Sequence, residues 1–227
     1  MPADDATKTR LLEAAGEEFA DKGFGGATVR AICARAGANV AAINYHFGDK
    51  ERLYIEAVIE AHRCGMEGPD EAEMETLGGP PAEALRLFIR HFLKNVLAVH
   101  DPDDWHHALM VREMIRPTSA STTLAREVIG PKFRRLSAIL RAIHPAADER
   151  RLHATAFSLI GQCLHYKLAR PISRQLVGDD AWAELMDLDY LADHIAGVML
   201  AALGIGPPLD FAGDHAPSPL APIGVRR

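Results

Sequence analysis

The apolar residues of this chain recur at intervals of three and four, and no segment alternates strictly between apolar and polar positions. This pattern predicts an all-α protein. A first helix is predicted around Leu11 and Phe19, and it should stop at Gly23. Two short helices and a longer one should follow, so the N-terminal part is predicted to be a small helical domain.

The short helices are bounded by residues with strong local preferences. Thr28 is a good N-cap for the second helix, and Gly37 is suited to end it. Asp49 should cap the fourth helix. Three residues of the third helix have helical spacing and are expected to face the core: Val40, Ile43 and Phe47. Two short helices joined by a glycine turn predict a helix-turn-helix motif at residues 28–47.

Helical periodicity continues through the larger remainder of the chain. Residues 67–81 interrupt it, because they are acidic with Gly and Pro at both ends and are predicted to form a mobile loop. The tail from Gly206 contains five prolines and is predicted to be disordered. Pro131 should kink or split the helix that contains it. The helices predicted between these segments cover approximately residues 85–96, 105–116, 122–144, 148–171 and 188–203.

Composition restricts the class of function. The formal net charge is −6, so any contact with nucleic acid must use local positive charge. Residues 28–52 supply it, with four cationic side chains against two carboxylates. The three cysteines are widely spaced and form no CxxC pair, which argues against a disulfide framework or a cysteine-rich zinc site. The N-terminal residues MPADDATKTR contain no apolar run typical of a signal peptide, and no stretch has the length of a membrane span, so a cytoplasmic protein without a membrane partner is expected.

The open side of the predicted third helix carries side chains suited to DNA. Asn39 and Asn44 can pair with base edges, and Ala41 and Ala42 allow close approach and can touch a thymine methyl. Phosphate contacts are expected from residues at the rim of this side and at the neighbouring helix starts: Thr28, Arg30, Tyr45, His46 and Lys50. His46 can equally be a solvated residue. The expected partner is double-stranded operator DNA.

The run from Arg10 to Tyr54 resembles the N-terminal domain of TetR-family transcriptional regulators. The family pattern is a threonine opening the second helix, a glycine turn, a recognition helix ending in an aromatic pair and Phe, and then a lysine. This chain matches with Thr28, Gly37, Tyr45-His46-Phe47 and Lys50. It departs from the pattern where Ala38-Asn39 follow the turn glycine and where Asn44 replaces the usual leucine. The resemblance implies a DNA-binding regulator, usually a repressor that a small-molecule effector releases.

Two C-terminal segments resemble the CecR-like subgroup of that family, VREMIRPTSASTTLAREVIGPKF at residues 111–133 and SLIGQCLHYKLARP at residues 158–171. The resemblance implies a helical bundle that dimerises through its last two long helices and holds an effector cavity. We therefore expect a DNA-binding domain at residues 5–52, an effector-binding and dimerisation domain at 53–205, and a tail at 206–227. A symmetric homodimer should bind a pseudo-palindromic operator. The alternative is that both apolar helices are buried inside the monomer.

Residues of mixed character are the candidates for effector contact: Met110, Met114, Phe157, Gln162, His165 and Tyr166. Such residues are also common in plain cores, and Gln162 and His165 can instead lie in a dimer interface. The histidines show no metal-ligand spacing, and no catalytic motif or cofactor-binding glycine loop occurs. We therefore expect no metal, no cofactor and no enzymatic activity. A helical enzyme or a helical adaptor is the alternative, although neither explains the polar side of the third helix.

Overall fold

The computed structural model describes residues 2–64, 79–97 and 104–209, and the regular structure of these residues is helical throughout. The predicted all-α class is therefore confirmed. The helices, in chain order, are α1 (Pro2–Gly26), α2 (Val29–Ala36), α3 (Val40–His46), α4 (Lys50–Cys64), α5 (Pro81–Leu97), α6 (Trp105–Ile115), α7 (Ala120–Thr123), a π-helical segment (Leu124–Ile129), α8 (Gly130–Ile143), α9 (Glu149–Leu168), α10 (Arg170–Val177), α11 (Asp179–Leu185) and α12 (Leu188–Ala202).

Two predicted segments fall mainly on other residues. The loop predicted at 67–81 lies outside the described residues except for its last three, and the tail predicted from Gly206 does so except for its first four. The end of the first helix agrees with the prediction, because Gly23 interrupts α1 with a φ of 71°.

The helical run around Pro131 is continuous rather than split. The chain passes from α7 through the π-helical segment Leu124–Ile129 and directly into α8. Because proline has no N–H, it cannot donate the ordinary hydrogen bond to the residue four before it. A π turn next to such a position changes the hydrogen-bond register without ending the helix.

α10 and α11 are absent from the sequence-based prediction. They occupy residues 170–185, between the two long helices α9 and α12. Trp182 of α11 is buried, whereas α10 has no buried residue. Sequence periodicity predicts helices from an apolar stripe that faces the core, and α10 has no side that faces the core.

The described residues belong to two compact units. The first unit is Met1–Glu67 with Ala98–Phe133, and the second is Gly68–Leu97 with Arg134–Arg227. In the first unit, α1 packs against α2, α4 and α6, and α4 also packs against α6, α7 and the π-helical segment. Its core includes Leu11, Phe19, Ile32, Ile43, Leu53, Tyr54 and Leu109. The long fourth helix therefore lies inside the same compact unit as the helix-turn-helix.

Trp105 fixes α6 against α1 within the first unit. A methyl group at Gly16 would lie 2.3 Å from the Trp105 ring, so only glycine leaves room for it. The Trp105 indole Nε1–H donates to Glu13 at 2.8 Å. The packing of Trp105 on Gly16 and its hydrogen bond to Glu13 therefore both hold α6 against α1.

The second unit is built on α5, which packs against α12 and α9. Its buried side chains are mainly aliphatic and include Leu85, Ile89, Leu93, Leu136, Leu140, Leu159, Leu191 and Ile195. Cys163 lies among them, and burial raises the pKa of its thiol to about 12. Asp148 caps α9 by accepting from the Arg151 N–H at 2.7 Å, which confirms the predicted start of that helix.

Candidate nucleic-acid interface

Capping hydrogen bonds set the geometry of the helix-turn-helix. The Thr28 hydroxyl oxygen accepts from the Ala31 N–H at 3.1 Å and starts α2. α2 ends at Gly37, whose φ of 60° lies in the left-handed region that glycine adopts most easily. Both predicted boundaries are confirmed. Asp49 accepts from the Arg52 N–H at 2.8 Å, which confirms the predicted cap of α4.

α3 is anchored to the first unit by its inner side. Ile43 is 1% exposed and Phe47 is 6% exposed, and both belong to the same buried cluster as Ile32 of α2 and Phe19 of α1. Rotation of α3 about its axis would expose these side chains to water and lose their burial energy. The opposite side of α3 is therefore presented in one orientation.

The outer side of α3 differs from the prediction at two positions. Val40 is 45% exposed, so the expectation that it faces the core is wrong. Ala42, expected on the open side, is partly buried against the core cluster, as is Ala38. Ala38 and Ala42 therefore contact the core cluster near the start of α3, and Val40, in the first turn of the helix, lies outside that cluster. The exposed side consists of Val40, Ala41, Asn44 and Tyr45.

Asn39 has a structural task that its predicted base contact did not include. Its Oδ1 accepts from the Ala42 N–H at 2.9 Å and caps α3. Pairing with the N6 and N7 of adenine requires the amide oxygen to accept and the amide nitrogen to donate. Because the Asn39 oxygen is engaged, only its NH2 group is available to DNA. Asn44 is exposed and is the better candidate for adenine.

The aromatic residues at the end of α3 differ in exposure. Tyr45 is 76% exposed, and its hydroxyl can reach a phosphate. His46 is partly buried, and its ring packs edge-to-face against that of Tyr45 with centroids 5.0 Å apart. The Tyr45 side chain is therefore supported on one side while its hydroxyl stays accessible.

The cations around α3 are less free than the charge count indicates. Arg35 donates to Glu17 at 2.6 Å, and the Lys50 ammonium donates to the Phe24 carbonyl at 2.5 Å. Lys50 also lies 4.6 Å from the centroid of the Phe24 ring. The prediction of Lys50 as a plain phosphate contact thus omitted its role in joining α4 to the end of α1. Arg30 is exposed at the start of α2 and agrees with the predicted location.

Lys8 is a candidate that the sequence reasoning missed. Its ammonium lies 5.9 Å from the centroid of the Phe47 ring, so the N-terminal part of α1 adds a positive charge beside the end of α3. The contact spans 39 positions of the chain, and spacing within the motif gives no signal for it.

A buried carboxylate holds α4 from behind. Glu113 is 2% exposed and accepts from the Tyr54 hydroxyl of α4 at 2.7 Å. It also accepts from the Thr118 N–H at 2.8 Å and from the Ser121 hydroxyl at 2.5 Å. Burial favours the neutral acid, but the donated hydrogen bonds hold the pKa of Glu113 below its ordinary value. Burial and the hydrogen bond to Glu113 raise the pKa of Tyr54.

Arg112, the neighbour of Glu113, contacts α1. Its guanidinium donates to the carbonyl oxygens of Ala20 and Asp21, at 2.9 and 3.2 Å. These carbonyls lie just before the interruption at Gly23, where helical partners are missing. Adjacent residues of α6 thereby hold both α1 and α4, the helices that flank the helix-turn-helix.

The predicted effector residues are divided between the two compact units. Met110 and Met114 lie on α6 in the first unit, and the other four lie on α9 in the second. On α9, Phe157 is 62% exposed and His165 lies 3.2 Å from the Ser173 hydroxyl. Their contact with an effector stays a prediction.

Gln162 does line a cavity of about 830 Å³ within the second unit. The cavity lies between the end of α8, the first half of α9 and the end of α12, and its lining is mixed. Apolar atoms come from Leu140, Leu152 and Met199, and polar groups come from residues such as His144 and Gln162. A cavity of this size and character is typical of a small-molecule site.

In residues 2–64, 79–97 and 104–209, no helix is long and apolar enough to cross a membrane. The same residues contain no cluster of three or more His, Cys, Asp or Glu side chains arranged to hold a metal ion.

A short helix that is anchored on one side, and that exposes amide, phenol and small apolar groups on the other, defines a helix-turn-helix DNA-binding protein. Comparison with family models identifies the family. Residues 11–57 match the model of bacterial regulatory proteins of the TetR family, and residues 81–203 match the C-terminal domain of the HTH-type transcriptional dual regulator CecR. The chain belongs to the TetR family and has a C-terminal domain of the CecR type. Members of this family are transcriptional regulators rather than enzymes, and they bind operator DNA and dimerise.

Individual proteins agree with this assignment. The chain is 32% identical to the HTH-type transcriptional dual regulator CecR of Shigella flexneri over 174 residues, which cover 73% of this chain and 78% of that protein. It is 35% identical to the HTH-type transcriptional repressor NicS of Pseudomonas putida over 85 residues, which cover 37% of this chain and 39% of that protein. A crystal structure of a TetR-like transcriptional regulator from Rhodococcus sp. RHA1 has the same fold. It matches with a TM-score of 0.55 and 18% identity, covering 87% of this chain and 96% of that one.

Proposed function

We propose that this chain acts in the cytoplasm as a homodimeric repressor, which binds a pseudo-palindromic operator and releases it when a small molecule binds. The observation that carries the proposal is the exposed side of α3, with Asn44 and Tyr45 presented on a helix that Ile43 and Phe47 anchor. An anchored helix with accessible polar groups is suited to the major groove.

Within this proposal, base reading falls mainly to α3. Asn44 pairs with an adenine, and the small side chain of Ala41 permits close approach to the base edges. The exposed Val40 adds an apolar surface for a thymine methyl group, a role that the sequence analysis gave only to Ala41 and Ala42. Ala42 supports the helix from its inner side rather than touching DNA.

Phosphate contacts in the proposal come from around α3. Arg30 and the capped start of α2 at Thr28 meet one strand, because a helix N-terminus offers free N–H groups and positive charge. Tyr45, His46 and Asn39 donate to phosphates near the ends of α3. Lys8 adds charge from α1, and Lys50 contributes by positioning α4 through Phe24.

The dimer in this proposal forms through α9 and α12. Gly161 lies in the middle of α9, is exposed, and would have no atom within 4 Å of an added Cβ. Glycine inside a helix costs about 1 kcal/mol relative to alanine, and no contact among the described residues requires it here. Close approach of a partner helix explains it. The exposed Tyr190 on α12 supplies apolar surface to the same contact. Two recognition helices would then meet half-sites about 34 to 36 Å apart or somewhat more.

Release by a small molecule is supported by the cavity in the second unit, with Gln162 as the predicted contact that lines it. The mixed lining favours a ligand with an apolar body and a polar end. A ligand that prefers one conformer by about 3 kcal/mol would change operator affinity more than 100-fold. The dye 1-anilinonaphthalene-8-sulfonate is a suitable probe of this cavity. Thr155→Trp places a large side chain in the cavity and should lower the affinity of the protein for the dye. Ala183→Trp, on the exposed side of α11, should leave that affinity unchanged.

The DNA-binding proposal is tested by fluorescence anisotropy with a duplex from upstream of the protein's own gene. Affinity should fall steeply between about 50 and 200 mM salt, because phosphate contacts release counterions. Arg30→Ala should reduce the salt slope by about one. Arg35→Ala is the matched control, because Arg35 is paired with Glu17 and should leave that slope unchanged. The absence of salt-dependent binding at low salt would contradict the proposal.

A further inference from the structure

α10 presents its apolar side to water. Ile172 is 67% exposed and Leu176 is 62% exposed, and their spacing of four residues places them on one side of the helix. Val177 is 39% exposed, and no residue of α10 is buried. Amphipathic helices normally bury their apolar stripe, so this arrangement is the reverse of the usual one. An exposed apolar stripe of this kind marks an interaction surface.

Polar contacts fix α10 in this orientation. The Ser173 hydroxyl lies 3.2 Å from the His165 Nε2 of α9, and the Arg174 guanidinium donates to the Asp179 carboxylate of α11 at 2.6 Å. Pro171 stands in the first turn, where its missing N–H costs nothing. Gly178, with a φ of 87°, ends the helix. The apolar side is therefore held outward by contacts on the other sides of the helix.

The apolar side of α10 continues an exposed stripe of α9. Exposed residues follow at intervals of four, seven, four and four: Phe157, Gly161, Leu168, Ile172 and Leu176. The two helices meet at Ala169, and helical hydrogen bonding resumes at once, because the Ser173 N–H donates to the Ala169 carbonyl at 2.9 Å. The surface proposed above for the dimer thus runs on from α9 into α10.

We infer that α10 is an arm that packs on a second copy of this chain and enlarges the dimer contact. The inference rests on the proposed dimer through α9 and α12. Stable interfaces bury about 1,200 to 2,000 Å² in total, and burial of large apolar side chains is what stabilises them. α9 and α12 expose few such side chains, chiefly Phe157, Leu168 and Tyr190. The three apolar residues of α10 double that number, and a second copy supplies the matching stripe.

The test uses the full chain with Ile172→Asp and Leu176→Asp combined. Sedimentation equilibrium should show a dimer dissociation constant raised about 100-fold or more, because a symmetric dimer loses two buried apolar side chains from each subunit. Gln175→Asp is the matched control for Leu176→Asp alone, because each adds one carboxylate to the same helix and only position 175 is polar. Circular dichroism should show the same helix content in all variants, since no side chain changed here is buried in the monomer.

Photo-crosslinking locates the contact directly. A benzoylphenylalanine at position 176 should give a covalent dimer on irradiation of the purified protein, and one at position 175 should not. The inference is overturned if the double variant dimerises like the unchanged chain, or if position 176 crosslinks only within its own subunit.

The arm and the underlying dimer fail in distinguishable ways. If Gly161→Arg dissociates the dimer and the α10 variant does not, the arm is wrong and the α9–α12 dimer stands. If neither variant changes the dissociation constant, the proposed interface is wrong as well. Operator binding measured on the same samples by anisotropy reports separately on α3.

Discussion

The two compact units of this chain differ in how they depart from the usual rule that charged side chains are exposed and apolar side chains are buried. Among the described residues, the buried carboxylates Glu18 and Glu113 both lie in the first unit, and each is paired inside that unit. Both units expose some apolar side chains, but in the second unit they follow one stripe, in which Ile172 and Leu176 are the most exposed large residues of α10. The first unit thus satisfies its costly buried groups within a single chain, whereas in the proposed dimer a second copy covers the exposed stripe of the second unit.

The strongest way to break this contrast is to remove the buried carboxylate of the first unit. Glu113→Ala leaves the Tyr54 hydroxyl and the Thr118 and Ser121 donors without their acceptor. We expect a loss of about 3 to 5 kcal/mol in the free energy of unfolding, measured by urea denaturation. Glu127→Ala is the control, because Glu127 is exposed, and its effect should stay within about 0.5 kcal/mol. Similar values for the two variants would contradict the role of the buried network.

A charge placed in the stripe of the second unit should act on association rather than on folding. Gly161→Arg should raise the dimer dissociation constant at least about 100-fold, because an unpaired guanidinium would have to be buried at the contact. The monomer should fold normally, since a side chain at position 161 meets nothing within 4 Å. Sedimentation equilibrium measures the first effect and circular dichroism the second. Dimerisation at the normal concentration would refute the assignment of α9 to the interface.

The exposed side of α3 should respond in its sequence preference. Asn44→Ala should weaken operator binding by about 1 to 3 kcal/mol and leave non-specific DNA binding unchanged. Asn39→Ala should instead lower stability by about 1 kcal/mol, because it removes the N-cap of α3. Anisotropy on matched specific and random duplexes separates the two. Equal losses on both duplexes for Asn44→Ala would show that this residue does not read bases.

The smallest expected effect is a pH dependence of the first unit. Because the folded pKa of Glu113 lies below its ordinary value of 4.5, its ionised form stabilises the fold above that pH. Stability should fall as the pH drops from 4.5 through the folded pKa, where the carboxylate gains a proton. Glu113→Gln should reduce this dependence in thermal unfolding measured between pH 3 and 6. An unchanged pH profile would mean that other carboxylates dominate.

Local chemistry made the helix boundaries of the DNA-binding part predictable. Thr28, Gly37 and Asp49 act through hydrogen bonds or backbone angles within a few residues of themselves. Such local preferences can be recognised from the sequence without knowledge of the tertiary structure. The assignment of a helix-turn-helix and its family follows from the same segment. The domain limits at 52 and 53 stay predictions, as do the individual DNA contacts.

Long-range contacts were not predictable in the same way. The bond from Lys50 to Phe24 and the approach of Lys8 to Phe47 join residues that are distant in sequence. The exposure of Val40 has a similar cause, because periodicity identifies a helix face but not where the core beneath it ends. α10 was missed because it is only eight residues long and none of its residues is buried, so its apolar pattern is short.

The packing of Trp105 on Gly16 also gives the protein a built-in optical label. The chain has two tryptophans, and they fall one in each compact unit, Trp105 in the first and Trp182 in the second. Both are buried, so the emission of each indole changes when its own unit opens. Replacing Trp182 with phenylalanine would leave Trp105, at the α1–α6 contact, as the single tryptophan. Operator or ligand could then be titrated while light from one half of the molecule is recorded, without attaching any dye.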